Sequence, residues 1–169
     1  DGRITERAAE FGKLAEFLNR HHDLFLHHTD EPSGVLVLDV RDCDSLSAAE
    51  GYGYRYTNEM HNLNNALLHI GVRARFCNVR QIAEGILDHA KVLIVPFRPH
   101  VDPSMADQLR AFVKNGGTLL AESPFATKDM RGIHYEVTPG RLTDVFGAQV
   151  YDLEKLDEPT CGGIPAFDF

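Results

Sequence analysis

Residues 91–123, KVLIVPFRPHVDPSMADQLRAFVKNGGTLLAES, restrict the fold more than any other stretch of the chain. KVLIVP is a short apolar run, the signature of a strand buried on both faces. Asp102 and Pro103 read as a helix cap followed by proline at the first helical position. Asn115, Gly116 and Gly117 stop the helix because glycine takes the left-handed end conformation cheaply. GTLLAES then reads as a second strand. A strand, a capped helix and a strand make one β-α-β unit of a parallel sheet.

The same alternation extends in both directions. VLVLD at 35–39 reads as a strand, Thr57–Ile70 as a helix ended by Gly71, and 72–77 as the second strand. A short helix over 78–89 leads to the third strand (91–96). The third helix (103–115) leads to the fourth strand (118–121). Thr138 and Pro139 open a further short helix, and AQVYDLE at 148–154 reads as the fifth strand. Two long loops, 41–56 and 122–137, exceed the roughly 2–6 residues of an ordinary turn in such units. Five strands alternating with helices predict a doubly wound α/β sandwich, flavodoxin-like, with right-handed crossovers and strand order 2-1-3-4-5. Upstream, residues 4–26 form an amphipathic helix whose stripe runs through Phe11, Leu14, Ala15 and Leu18. The turn-rich HHTDEPSG (27–34) follows as a linker. The chain thus divides into a linker helix (1–33), an α/β domain (34–157) and an irregular tail (158–169).

Composition narrows the functional classes. A net charge of −8 opposes a nucleic-acid role, which needs a basic face. No apolar run approaches the ~18 residues of a membrane span. Three scattered cysteines, Cys43, Cys77 and Cys161, fit reduced thiols in a cytoplasmic protein. The start without methionine and the glycine-proline tail point to a piece of something longer.

The order 2-1-3-4-5 puts its switch-point crevice at the ends of the first and third strands. Asp39, Arg41 and Asp42 stand on one side, and Phe97, Arg98 and His100 on the other. Asp39, Arg98 and Glu122 all fall at carboxyl ends of predicted strands, and could bind a ligand or form a structural ion network. Ser123 has Glu122 and His134 nearby in sequence. Yet a nucleophile elbow needs small flanking residues, and Pro124 removes an N–H that an oxyanion hole would use. It reads as a loop serine. None of the cysteines has the helix N-terminus and neighbouring histidine of a reactive thiol. The pairs His21–His22 and His27–His28 lack the i, i+4 spacing of a zinc site. The run Gly51-Tyr-Gly-Tyr-Arg-Tyr56 concentrates tyrosine and arginine, as interfaces do. No catalytic residue, cofactor site or metal site is therefore assigned.

Several blocks together resemble a known family: ITERAAEFGKLAEFL, HTDEPSG with VLVLD, NALLHIGVRARF, KVLIVPF, MADQLRAFVKNGGTLLAESPFATKD and PGRLTDVFGAQVYDLEKLDEP. Over roughly residues 34–157 the chain resembles the middle, trimerisation domain of bacterial β-galactosidases of glycoside hydrolase family forty-two. The L-R-A-F-V-K-N-G-G-T-L-L block is shared with many class I glutamine-amidotransferase-like domains. The G-R-L-T-D-V-F-G block and the acidic segment after it favour the galactosidases. Pro96-Phe-Arg-Pro-His100 and Glu122 depart from the more apolar loops expected there.

The resemblance implies an amidotransferase-like fold without its cysteine nucleophile. It also implies a part in assembling a homotrimer in which neighbouring subunits help enclose each active site. The catalytic barrel of the same polypeptide would carry the two glutamates of a retaining mechanism, so no residue here inherits their role. The parent reaction, in carbohydrate metabolism, would release terminal β-galactose.

Overall fold

A computed structural model describes residues 5–27, 33–51 and 55–151. They fall into two units, one ending at Pro32 and the other starting at Ser33.

The first unit is helical. Helix α1 (Glu6–Arg20) starts where the Thr5 hydroxyl accepts a hydrogen bond from Ala8 N at 3.2 Å, satisfying an orphan donor of the first turn. The single helix expected over 4–26 is broken at His21, and α2 (His22–Leu26) follows. His21 leaves helical geometry at φ −114°, ψ 21°, with its ring 4.7 Å from Phe17. Phe11, Leu14, Phe17, Leu18, Leu24, Phe25 and Leu26 are all exposed.

The second unit holds the sheet. Its first half comprises β1 (Val35–Leu38), a 3-10 turn (Arg41–Cys43), α3 (Asp44–Ala49), α4 (Arg55–His69), β2 (Arg75–Cys77), α5 (Val79–Ala83) and a 3-10 turn (Ile86–His89). Then come β3 (Val92–Val95), β4 (Arg98–His100), α6 (Pro103–Lys114), β5 (Thr118–Ala121) and β6 (Phe125–Lys128). A 3-10 turn (Gly140–Leu142) and α7 (Thr143–Phe146) end the series. Among the described residues, β2-β1-β3-β5 form a parallel four-stranded sheet. This is the order expected for the first four strands of the flavodoxin-like pattern.

Register sorts the side chains into two faces. Leu36, Leu38, Leu93, Val95 and Cys77 belong to the main core, together with Ile82 of α5 and Met105, Ala106, Leu109 and Phe112 of α6. On the other face Phe76, Val37, Ile94 and Leu120 stand in one row across the sheet. The two central members are buried, while Phe76 and Leu120 at the edges are exposed.

The structure revises four details of the sequence reading. The long loop 41–56 contains the 3-10 turn and α3, and α4 begins at Arg55 rather than Thr57. These short helices escape periodicity because each is too brief to show a repeating stripe. The second strand is confined to 75–77, and the helix expected over 78–89 is a short α-helix followed by a 3-10 turn. The loop 122–137 contains β6, which pairs in parallel with β4 as a separate two-stranded ribbon. Proline in β4 and threonine and lysine in β6 hid that pairing. Of the segment expected as a fifth strand, the described part makes one antiparallel bridge, Thr138 to Val150.

The β-α-β unit of residues 91–123 forms as its caps dictate. Asp102 Oδ1 accepts from Met105 N at 2.9 Å and Pro103 opens α6. At the far end, Gly117 lies under the Phe112 ring; a Cβ there would stand 2.3 Å from ring atoms. Gly116 has φ +93° but open space around it. Overpacking a core contact costs about 1–3 kcal/mol, and a non-glycine residue in the left-handed region costs about 1–2 kcal/mol. Gly117→Ala is therefore expected to lower stability in urea unfolding more than Gly116→Ala. Equal losses would mean that the Phe112–Gly117 contact does not hold the helix on the sheet.

Candidate functional site

The carboxyl ends of β1 and β3 meet the β4–β6 ribbon, and most of the candidate residues gather there. After β3 the chain passes through Pro96 and Phe97 into β4, so Arg98 is carried into the interior and is 1% exposed. A buried guanidinium needs an anion. Asp42, in the 3-10 turn after β1, supplies it: Arg98 Nη1 and Nη2 donate to Asp42 Oδ1 and Oδ2 at 2.7 Å each. This two-pronged pairing fixes both partners in plane.

Asp39 turns the other way. Its carboxylate accepts from Arg41 N at 3.1 Å and from Arg41 Nε at 2.9 and 2.7 Å. The bonds from Arg41 hold the Asp39 carboxyl below the usual aspartate range, against the opposing effect of burial. Glu122 is exposed, and its Oε2 accepts from Phe97 N at 3.3 Å. The trio Asp39, Arg98 and Glu122 read from the sequence is thus resolved into three local pairings.

A second cluster was not foreseen. His100 and Lys128 face each other across the ribbon. Glu50, at the end of α3, reaches both: His100 Nε2 lies 3.1 Å from Glu50 Oε1, and Lys128 Nζ lies 2.7 Å from Glu50 Oε2. His100 is fully buried, and its Nδ1 finds no hydrogen-bond partner among the described residues. The ion pair with Lys128 is close but lacks hydrogen-bond geometry at Oε2. Burial would raise the Glu50 carboxyl, but that ion pair and the contact with His100 outweigh it and hold the group below the ordinary glutamate range. The sequence placed His100 at the crevice but carried no signal for its partners, since Glu50 lies 50 residues away and neither it nor Lys128 belongs to a motif.

The remaining candidates stand apart. Ser123 is exposed, and among the described residues it makes no bond to an imidazole or carboxylate. Cys43 and Cys77 are buried. Burial pushes the Cys77 thiol up to about 11, so it stays protonated near neutrality and is a poor nucleophile. Cys43 Sγ points to His100 O at 3.8 Å. His21, His22 and His27 sit on the helical unit, with His22 Nδ1 3.0 Å from Asn19 O at the end of α1 and His27 Nδ1 3.0 Å from Asp23 O of α2. Among the described residues no three metal-ligating side chains gather. Tyr52, Tyr54, His28 and Cys161 lie outside the described residues, and Tyr56 falls in the first turn of α4.

The fold and this end of the sheet define a flavodoxin-like α/β domain whose switch-point charges are spent on one another. The model of the β-galactosidase trimerisation domain family matches residues 36–161. The chain belongs to that family, the non-catalytic trimerisation domain of family forty-two β-galactosidases. No curated protein matches.

Among solved structures, the fold is shared with a β-galactosidase from Bacillus circulans sp. alkalophilus. The two are 24% identical with a TM-score of 0.73, over 94% of this chain and 23% of that one. Gan42B, a GH42 β-galactosidase from G., gives 20% identity and a TM-score of 0.75 over the same shares of the two chains. A β-galactosidase from Bifidobacterium adolescentis gives 15% and 0.64, over 75% of this chain and 58% of that one. The chain therefore spans between about a quarter and three-fifths of the length of these relatives.

The cap of α6 gives a pH-dependent prediction. Burial raises the Asp102 carboxyl, but the bonds from Met105 N and from Ser104 outweigh it and the group titrates below the usual aspartate range. Its stabilisation is therefore complete above the unfolded value and lost as pH falls through the lower folded one. Asp102→Ala is expected to cost about 1 kcal/mol at pH 7. The gap to the wild type should close as pH drops below about 3.9. A gap independent of pH in parallel denaturant titrations would show that the carboxylate charge is not what caps the helix.

Proposed function

We propose that the chain is the subunit-assembly segment of a β-galactosidase-like glycoside hydrolase and hydrolyses nothing by itself. The family match over residues 36–161 carries this reading. The homotrimer, the catalytic barrel on the same polypeptide and a cytoplasmic location belong to it, as does descent from an amidotransferase-like ancestor that lost its nucleophile. So does the division into 1–33, 34–157 and 158–169, which the change of unit after Pro32 supports at its first boundary.

The physical observations agree with assembly as the role. The apolar stripe of α1 and α2 is exposed and needs a covering surface. The galactosidase structures from Bacillus circulans sp. alkalophilus and G. overlay 94% of this chain, which is 23% of their own length, and so carry enough further chain to supply such a surface. Nothing points to a membrane or nucleic-acid partner: the net charge is −8, and no described helix is long and apolar enough to cross a membrane. Rival readings, an amidotransferase-like hydrolase or a small-molecule sensor, are not favoured. The described thiols are buried and the Arg98 guanidinium is occupied by Asp42.

Two measurements test the proposal. The purified chain should show only background hydrolysis of aryl β-galactosides, and turnover that survives repurification would contradict it. Deleting residues 34–157 from a full-length parent should lower its mass in analytical ultracentrifugation from three subunits to one. An unchanged trimer would place the assembly function elsewhere.

A further inference from the structure

We propose that the Glu50 carboxylate is an acid-released clasp that holds α3 against the β4–β6 ribbon. The inference stands apart from the assembly reading and rests on the geometry of one cluster. His100 and Lys128 are cross-strand partners in the ribbon, one contributed by each strand. Glu50 is the last residue of the α3 segment before Gly51, and one carboxylate oxygen goes to each partner, at 3.1 and 2.7 Å. A single side chain thus joins three segments that are distant in sequence. The ribbon is seated on the core through Phe97, Val101, Phe125 and Ala126, and the Glu50 carboxylate is what ties its His100–Lys128 end to α3.

The clasp is mostly shielded. The Glu50 side chain is 23% exposed, Lys128 12% and His100 0%, so the Coulomb attraction is screened less than at the surface. Protonating Glu50 removes the one carboxylate that, among the described residues, bridges the pair. It leaves the Lys128 ammonium against a neutral acid, across from an imidazole whose other nitrogen has no partner among the described residues. The other titratable groups around the cluster are already engaged or exposed. Arg98 is paired to Asp42, Asp129 caps its own turn through Arg131 and Ile133, and the Tyr135 hydroxyl donates to Val101 O. His134, bridged to Lys128 by backbone, is exposed. None of these takes over the role of Glu50. Release should therefore loosen the contact between α3 and the ribbon while leaving the four-stranded sheet intact.

Amide hydrogen exchange on the 169-residue chain reads this directly. The reporters on the clasped elements are the amides of Glu50 and Gly51, bonded to Leu46 O and Ala48 O, and those of Val101 and Tyr135, bonded to Lys128 O and Thr127 O. The sheet reporters are Asp39 N on Cys77 O and Thr118 N on Lys91 O. In the wild type, after correction for intrinsic rates, the first set should lose protection as pH falls below about 4.3, before the sheet set does. Glu50→Gln should show about tenfold lower protection in the first set already at pH 7, with the sheet set unchanged and no pH step.

Lys128→Met provides a second reading should Glu50→Gln fail to fold. Removing the ammonium takes away the charge that favours the ionised carboxylate, so the pH of release should move upward. Protection in Glu50→Gln equal to wild type, simultaneous loss in both sets, or an unmoved release pH in Lys128→Met would each overturn the proposal.

Discussion

The arrangement at the end of the sheet depends on one buried charge. β3 is covered on both faces, and the chain leaving it has no quick route to solvent, so Arg98 is carried inside with its guanidinium. Such a group is tolerated only with a well-placed counter-charge. Asp42 provides it from the turn after β1, which fixes that turn and orients the start of α3 beneath the ribbon. Glu50 at the other end of α3 meets His100, two residues beyond Arg98 on the same strand. Each end of α3 is therefore joined to β4 by a carboxylate.

This placement bears on function because the carboxyl edge of a flavodoxin-like sheet is where such folds put their chemistry. Here that edge is filled by internal pairings. The guanidinium is neutralised, the described thiols are buried, and Ser123 is exposed without an imidazole partner among the described residues. A fold of this architecture does not by itself define an activity. What the site residues do is stabilise the domain, in keeping with a non-catalytic member of the trimerisation family.

Much of this was legible in the sequence, and the exceptions have physical causes. The β-α-β unit announced itself through Asp102-Pro103 and Asn115-Gly-Gly117, because caps and stops are local chemistry. The two central strands of the parallel sheet were readable because burial on both faces forces continuous apolar runs such as VLVL and VLIV, while the half-exposed edge strands β2 and β5 were read from their place between helices. The β4–β6 ribbon was not, since Arg98-Pro-His100 is polar by composition and is buried only through pairings with Asp42 and Glu50. Asp39 and Glu122 directly follow β1 and β5 as read, whereas Arg98, also expected at a carboxyl end, opens β4. Sequence order says nothing about which carboxylate a guanidinium will choose. Asp42 won because the 3-10 turn presents both its oxygens to Arg98, whereas Asp39 is taken by Arg41.

The most direct test of this account is a double-mutant cycle on Arg98 and Asp42, followed by equilibrium unfolding. If the pair is internal scaffold, Arg98→Met and Asp42→Leu should each destabilise the domain. The larger loss should come from Asp42→Leu, which strands a guanidinium that is 1% exposed, whereas the Asp42 side chain is 41% exposed and stays solvated when Arg98 is replaced. Together the two changes should recover most of that loss, because stranding a buried charge costs about 3–5 kcal/mol and the double variant strands none. A double variant as unstable as the sum of the two single variants would contradict the account and mean that Arg98 and Asp42 act independently.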